Sequence, residues 1–305
     1  MLDKVSIYYK QVQLLLEVLP FVSKEECFAL KGGTAINMFV RDMPRLSVDI
    51  DLMYLPIENR EISLQNIALS FERIAKSIET SIRSAKVHRL TQREDELSKL
   101  QVERNGVNIK IEASPVMRGT VREPSVLSVS ASVEEEFGFA ETSVVHIYDL
   151  YSGKICAALD RQHPRDFFDI RGLLDNEGIS DSLMNVFIVY LISSNQPIAK
   201  LLQPNLIDLK RIYAEQFAGM PIVPVSLKVL EETRIELIRT IRSKLTQNHR
   251  NFLIGFKEGN PDWNLIPFDH IEELPSVKWK ILNLKKMSKA KRDEATQKLK
   301  DTLEV

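Results

Sequence analysis

Residues Gly32-Gly33-Thr34-Ala35-Ile36-Asn37-Met38-Phe39-Val40-Arg41-Asp42-Met43-Pro44-Arg45-Leu46-Ser47-Val48-Asp49-Ile50-Asp51-Leu52 decide how this chain is read. In SVDIDLMYLP, polar and apolar residues alternate, which is the period of a half-buried strand. Residues two apart on a strand share a face. Asp49 and Asp51 therefore stand side by side, while Ile50 and Leu52 enter the core. Two carboxylates held this close repel unless a cation sits between them. Hard oxygen ligands suit magnesium, with manganese as the second choice. By itself an Asp-x-Asp is also the pattern of a solvated strand end. The preceding loop adds weight. Gly32 and Gly33 let backbone amides approach an anion, and they lead into a helix for which Thr34 is a candidate cap. A triphosphate bound there would lie beside metal on the following strand; a simple turn is the alternative.

Two further segments carry candidate chemistry. Segments 98–104 and 106–113 read as a hairpin joined at Asn105-Gly106, with Pro115 closing it. On its second strand Lys110 and Glu112 share a face. Glu112 is a candidate third metal ligand with Lys110 balancing charge, and an exposed Lys/Glu face is the alternative. From Asp149 to Asp169, helical spacing aligns Lys154, Ala157, Ala158 and Arg161 before Pro164 starts a new helix. Lys154 suits a phosphate as a point charge. Asp166 either caps the new helix or orients Lys154, the nucleotide or the acceptor. His163, beside the helix break, reads as structural. The five histidines show no metal-ligand spacing.

Working outward, the 305 residues are 44% hydrophobic and 27% charged, with only 11 glycines, which describes a helix-rich globular chain. The fold class expected is α/β (α+β). Residues 1–145 form a domain with a small mixed sheet flanked by helices and the metal site. Residues 146–305 form a mainly helical bundle expected to complete the nucleotide and acceptor site. Within the first domain, residues 1–30 read as helix, with Pro20 ending or kinking it and a short second helix after Ser23. Residues 60–90 read as helix, and 120–145 as short strands. In the second, helices are expected over 148–162, 166–176, 181–193 and 225–247.

No run of about 18 apolar residues is present and the N-terminus lacks signal-peptide features, so a cytoplasmic protein without membrane contact is expected. Cys27 and Cys156 read as reduced core residues. A formal net charge of -1 excludes a global basic field, so nucleic-acid contact needs a local patch. Segment 278–300 offers one, with Lys278, Lys280, Lys285, Lys286, Lys289 and Lys291 among its cations. A solvated helix face is the alternative. Trp279 within it reads as core rather than as a base-stacking platform.

Taken together, GGTAINMFVRDMPRLSVDIDL, NIKIEASP and DLYSGKICAALDRQHPRDFFDI resemble the AbiEii-type nucleotidyltransferase toxins, which include the MenT-type toxins, within the DNA polymerase beta-like superfamily. FDHIEELPSVKWKILNLKKM resembles the family's closing segment. The resemblance carries the first motif onto Gly33, Thr34, Asp49 and Asp51, the second onto Lys110 and Glu112, the third onto Lys154 and Ala157, and the fourth onto Arg165, Asp166 and Asp169. It implies a toxin of a toxin–antitoxin or phage-defence system. Such a protein moves NMP from a nucleoside triphosphate to RNA, with the tRNA 3′ end as the acceptor, and is restrained by an antitoxin encoded nearby. On this basis Asp49, Asp51, Lys154 and Asp166 are the candidate catalytic residues. Gly32, Gly33, Thr34, Lys110 and Arg165 are assigned to the nucleotide, and Asp49, Asp51 and Glu112 to Mg2+ or Mn2+. Two alternatives stand: a small-molecule nucleotidyltransferase resembling aminoglycoside-modifying enzymes, and a degenerate nucleotide-binding partner protein.

Overall fold

A computed structural model describes residues 4–91 and 96–304. The chain forms two compact units, Met1–Leu150 with Met220–Pro224, and Tyr151–Gly219 with Val225–Val305.

The first unit is built on a seven-stranded mixed sheet. Its strands are β1 (Phe28–Lys31), β2 (Asp49–Tyr54), β3 (Lys86–Arg89), β4 (Lys99–Arg104), β5 (Val107–Arg118), β6 (Ser125–Ser128) and β7 (Glu141–Val144), in the order β3-β4-β5-β2-β1-β7-β6. β2 lies between β1, antiparallel to it, and β5, parallel to it. The alternation read in β2 is realised: Ile50 and Leu52 are buried, whereas Asp49 and Asp51 are half-buried. Helices α1 (Ile7–Ser23) and α3 (Arg60–Ser81) contact each other and cover the apolar face. There Phe28 meets Tyr54 at 5.9 Å and Phe71 of α3 at 5.6 Å between ring centres. Both helices start on side-chain caps: Ser6 Oγ accepts from the Tyr9 N–H, and Asn59 Oδ1 from the Ile62 N–H. The β4–β5 turn has φ of 51° at Asn105 and 76° at Gly106, the pair of positive values that a two-residue hairpin turn demands.

Several expectations are corrected. Helix α1 runs through Pro20, which removes one hydrogen bond a single turn before the helix ends and keeps its ring on the exposed side. No helix follows Ser23; its hydroxyl bonds back to the Leu19 carbonyl, and the chain enters β1. A run as short as Phe28–Lys31, with its first three residues buried, has no periodicity that separates strand from helix. Residues 86–89, expected as helix, form β3 on the sheet edge against β4, and within 120–145, expected as short strands, the helix α4 (Ala131–Phe137) lies between β6 and β7. Pro115 does not close β5, which continues to Arg118. The proline lies past the last β4 pair, Lys99↔Glu112, and within the register shift between Leu52↔Ala113 and Tyr54↔Arg118, so no ladder bond is lost. Ser114 Oγ accepts from the N–H groups of Val116 and Met117 there. Both cysteines are free and half-buried rather than fully buried.

The second unit is helical: the part of α5 (Ile147–Arg161) from Tyr151 onward, then α6 (Pro164–Asn176), α7 (Asp181–Ser193), α8 (Ile198–Leu202), α9 (Lys210–Gln216), α10 (Leu227–Lys244), α11 (Gln247–Glu258), α12 (Pro275–Lys286) and α13 (Lys289–Leu303). Helix α7 is buried almost all round, which marks it as the bundle's core. Trp279, expected in the core, is 46% exposed. Helix α12 buries Pro275, Ser276, Val277 and Leu284, and residue 279 falls on the other side of it. Among the described residues, no helix is long and apolar enough to cross a membrane.

Candidate active site

Pairing across the sheet sets the geometry. β2 aligns Asp49 with Lys110 and Asp51 with Glu112 of β5; β1 aligns Lys31 with Asp51; β4 aligns Lys99 with Glu112. Partners in register share a face. One row across four strands therefore reads Lys31, Asp51, Glu112, Lys99, and the next begins Asp49, Lys110. All of these lie on the sheet face opposite the α1/α3 core. Two like charges directly opposite each other, Asp51 and Glu112, are unfavourable unless a cation intervenes. For Glu112 the cation is Lys99, whose Nζ sits 2.9 Å from Oε1. Both groups are exposed, so this pair contributes little stability and exchanges readily.

The Gly-Gly segment closes over this row. A short helix, α2 (Gly32–Ala35), begins at Gly32, which has φ +75°, and continues as a π-turn through Val40. A Cβ at residue 32 would lie 2.3 Å from Asp51 Oδ2, so only glycine lets the loop approach that carboxylate. A Cβ at Gly33 would meet Arg45 Nη2 and Ser47 Oγ at 2.9 Å. Arg45 and Ser47 are buried beneath the loop. Thr34 is not the helix cap. It is fully buried, and its hydroxyl donates to the Asp49 carbonyl at 2.5 Å and contacts Ser47 Oγ at 3.1 Å. The hydroxyl thus ties the loop to the start of β2. Replacing Gly32 by Ala is expected to cost about 1–3 kcal/mol of stability through the positive φ alone. It should also displace Asp51 and so lower transfer activity. Thermal denaturation and an activity assay of Gly32→Ala check both; wild-type values in each would remove the steric argument.

A second polar cluster is internal to the helical unit. Lys154 is buried, its side chain 6% exposed, with Nζ 3.0 Å from Asp166 Oδ1 and 2.9 Å from Asp169 Oδ2. Arg161 grips Asp166 with two donors, Nε to Oδ2 at 2.6 Å and Nη2 to Oδ1 at 2.8 Å. Burial alone would raise the Asp166 pKa, but Lys154 and Arg161 outweigh it and hold the carboxyl well below the usual carboxylate range. Asp166 does not cap α6. That role falls to His163, whose Nδ1 accepts from the Arg165 N–H at 3.1 Å while Nε2 lies 3.2 Å from Gln216 Oε1. An accepting Nδ1 means a neutral ring, in keeping with burial lowering the His163 pKa. The Arg165 side chain is half-buried.

The sequence matches the family described as "Nucleotidyl transferase AbiEii toxin, Type IV TA system" over residues 13–281. The chain belongs to this family. Among solved structures it is similar to MenT4, a nucleotidyltransferase toxin from Mycobacterium tuberculosis, with a TM-score of 0.60 and 12% identity. The likeness covers 92% of this chain and 94% of that one, and at such identity it shows the fold. A comparison with curated proteins found no match. As an AbiEii-family member the protein is a nucleotidyltransferase, the toxin of a type IV toxin–antitoxin system, with an NTP substrate and a cognate antitoxin.

Nucleotidyltransferases of this kind generally work with divalent metal ions. The donor set here fits one: two half-buried carboxylates on one strand face, a third in register beside them, and Gly32 leaving no side chain between loop and Asp51. Among the described residues no three His, Cys, Asp or Glu side chains converge as a metal cage. A hard cation such as magnesium is commonly held by one or two carboxylates, completed by water and substrate phosphates.

Arg45 and Ser47 escaped the sequence reading although they lie inside the quoted stretch. Lys31 and Lys99 escaped it as well. Their only signal is register, and register appears only once strand order is known.

Proposed function

We propose that this AbiEii-family toxin moves NMP from a nucleoside triphosphate to an RNA acceptor, the 3′ end of tRNA, with Mg2+ held by Asp49 and Asp51. The observation that carries the reading is the Asp49/Asp51 pair, half-buried on one face of β2, with Gly32 against Asp51 and Lys110 and Glu112 in register. Glu112, freed from Lys99, would be a third residue able to hold the ion. When bound, the ion neutralises the phosphates and lowers the pKa of the attacking hydroxyl, so no dedicated base is needed. The acceptor oxygen forms a bond to the α-phosphorus; the bond from that phosphorus to the bridging oxygen breaks, pyrophosphate leaves, and the hydroxyl proton passes to solvent.

In this scheme the amides of Gly32 and Gly33 face the triphosphate, Thr34 fixes the loop to β2, and Lys110 sets the charge beside Asp49. Lys154, Asp166 and Arg165 are assigned to nucleotide engagement by the motifs they match. An RNA acceptor is supported by segment 278–300, whose cations flank the exposed Trp279, a side chain able to stack on a base. The test is incubation with each α-labelled NTP, magnesium and total tRNA. Label is expected in intact tRNA and not in tRNA whose 3′ diol has been oxidised with periodate. No labelled RNA with any NTP would overturn the RNA acceptor; label on an aminoglycoside instead would favour a small-molecule substrate.

A further inference from the structure

Within the helical unit, Lys257 near the end of α11 and Lys280 of α12 line one cavity of about 200 Å3, whose other polar lining is Asn195, Gln196 and Asn283 and whose remaining walls, Phe256 among them, are apolar. Both lysines are half-buried. Among the described residues, neither ammonium has a hydrogen bond or an ion pair. The acidic residues at the same helix ends are engaged elsewhere: Glu258 with Lys300 at 2.9 Å and Glu273 with Lys278 at 2.5 Å. Burial lowers the pKa of each lysine, and for Lys280 the nearby Lys257 charge lowers it further.

Two half-buried cations lining one small cavity, without a counter-charge, are unfavourable in the protein alone. Water is partly excluded and the charges repel. The dipole at the end of α11 offsets some of this for Lys257, which sits in the last turn, but not for Lys280 in the middle of α12. An apolar or neutral pair of side chains would fill the same space at lower free energy. The arrangement becomes favourable when an anion with two negative charges bridges the ammonium groups. The cavity is also suited to an anion in its remaining donors. The amides of Asn195 and Asn283 carry N–H groups, and Gln196, whose Oε1 already accepts from Lys200 Nζ at 3.0 Å, has its own N–H groups to donate. A cavity of about 200 Å3 is below the usual size for a whole nucleotide and admits a compact group.

We infer that the Lys257–Lys280 cavity of the helical unit is a phosphoryl-binding site. The phosphoryl group comes either as free phosphate or pyrophosphate, or as a phosphate of an RNA backbone.

The experiment measures binding by calorimetry with the full chain, free of other oxyanions, using inorganic phosphate, pyrophosphate and a 12-nucleotide single-stranded RNA as probes. Wild type is compared with Lys257→Gln, Lys280→Gln, the double variant, and Lys228→Gln as a surface control outside segment 278–300. If the ligand is a free anion, phosphate or pyrophosphate binds wild type, each single variant weakens it by about tenfold, and the control does not. If it is an RNA phosphate, the free anions are silent and the double variant alone loses RNA affinity by a comparable factor. A thermal melt guards against misfolding: because the unpaired charges repel, the double variant without ligand should melt at or above the wild-type temperature. Unchanged binding of every probe in the double variant, or a double variant that melts well below wild type with no ligand present, would overturn the proposal.

Discussion

Asp51→Asn should abolish nucleotide transfer while leaving the protein at least as stable as wild type. The two effects have one cause. Asp51 stands in register with Glu112, carboxylate opposite carboxylate, on a half-buried strand face. Lys99 already answers the Glu112 charge, so removing the Asp51 charge eases the repulsion that remains and costs the fold little. Asparagine keeps the shape, and the contact with Gly32 survives. With substrate and metal the same charge is indispensable, because of the two strand carboxylates it is the one against the Gly-Gly loop. A loss of about 1,000-fold or more is expected, equivalent to about 4 kcal/mol of transition-state stabilisation. Single-turnover labelling of RNA, paired with a thermal melt, reads both quantities. A residue that merely holds the loop would show the opposite pattern, with stability falling and activity partly kept. Activity within tenfold of wild type would remove Asp51 from the metal site.

The contrast between Asp51 and its partners shows what the sequence makes legible. Alternation over Asp49–Tyr54 is local, so strand, face and carboxylate pair can all be read from ten residues. The Asn105-Gly106 turn is equally local, and so is the helical stripe that holds Lys154 and Arg161. Strand β1 is different. Its first three residues are buried on both sides of the strand, and nothing in FALK distinguishes it from the helix before it. Yet β1 lies beside β2 and brings Lys31 next to Asp51. The Lys99–Glu112 pair depends on β4 meeting β5 in one register, which the hairpin turn sets, but whether that face carries Asp51 depends on the parallel pairing of β5 with β2 across more than fifty residues of chain. Arg45 beneath Gly33 is a tertiary contact with no periodic signal at all. Local chemistry could be read; neighbours supplied by long-range pairing could not.

Lys154→Met should strongly destabilise the helical unit, and it should reverse the pH dependence of stability. Lys154 is the shared counter-ion of two buried carboxylates, at 3.0 Å from Asp166 and 2.9 Å from Asp169. Methionine fills much of the volume but removes the ammonium that two buried carboxylates share. Removing one partner from a buried ionic cluster costs about 3–5 kcal/mol. In the wild type, the Asp166 pKa is depressed in the folded state. Its pairing therefore stabilises fully above the unfolded carboxylate value of about 4, and fades only as pH falls toward the depressed folded value. Between pH 7 and pH 5 this group leaves wild-type stability flat. In Lys154→Met the burial that raises a carboxylate pKa is no longer offset by the ammonium, and one carboxylate is expected to take up a proton at a higher pH in the folded state than in the unfolded chain. The folded state then binds more protons than the unfolded one, so stability rises as pH falls from 7 toward 5. Urea denaturation at those two pH values distinguishes the cases. A flat profile with a loss below about 1 kcal/mol would mean that Lys154 is dispensable to the cluster. Its role would then rest entirely on the nucleotide. A large loss with a reversed slope instead makes Lys154 a positioning residue: it acts through Asp166 and Arg161, and any fall in transfer activity has to be separated from the fall in folded protein before it is assigned to substrate.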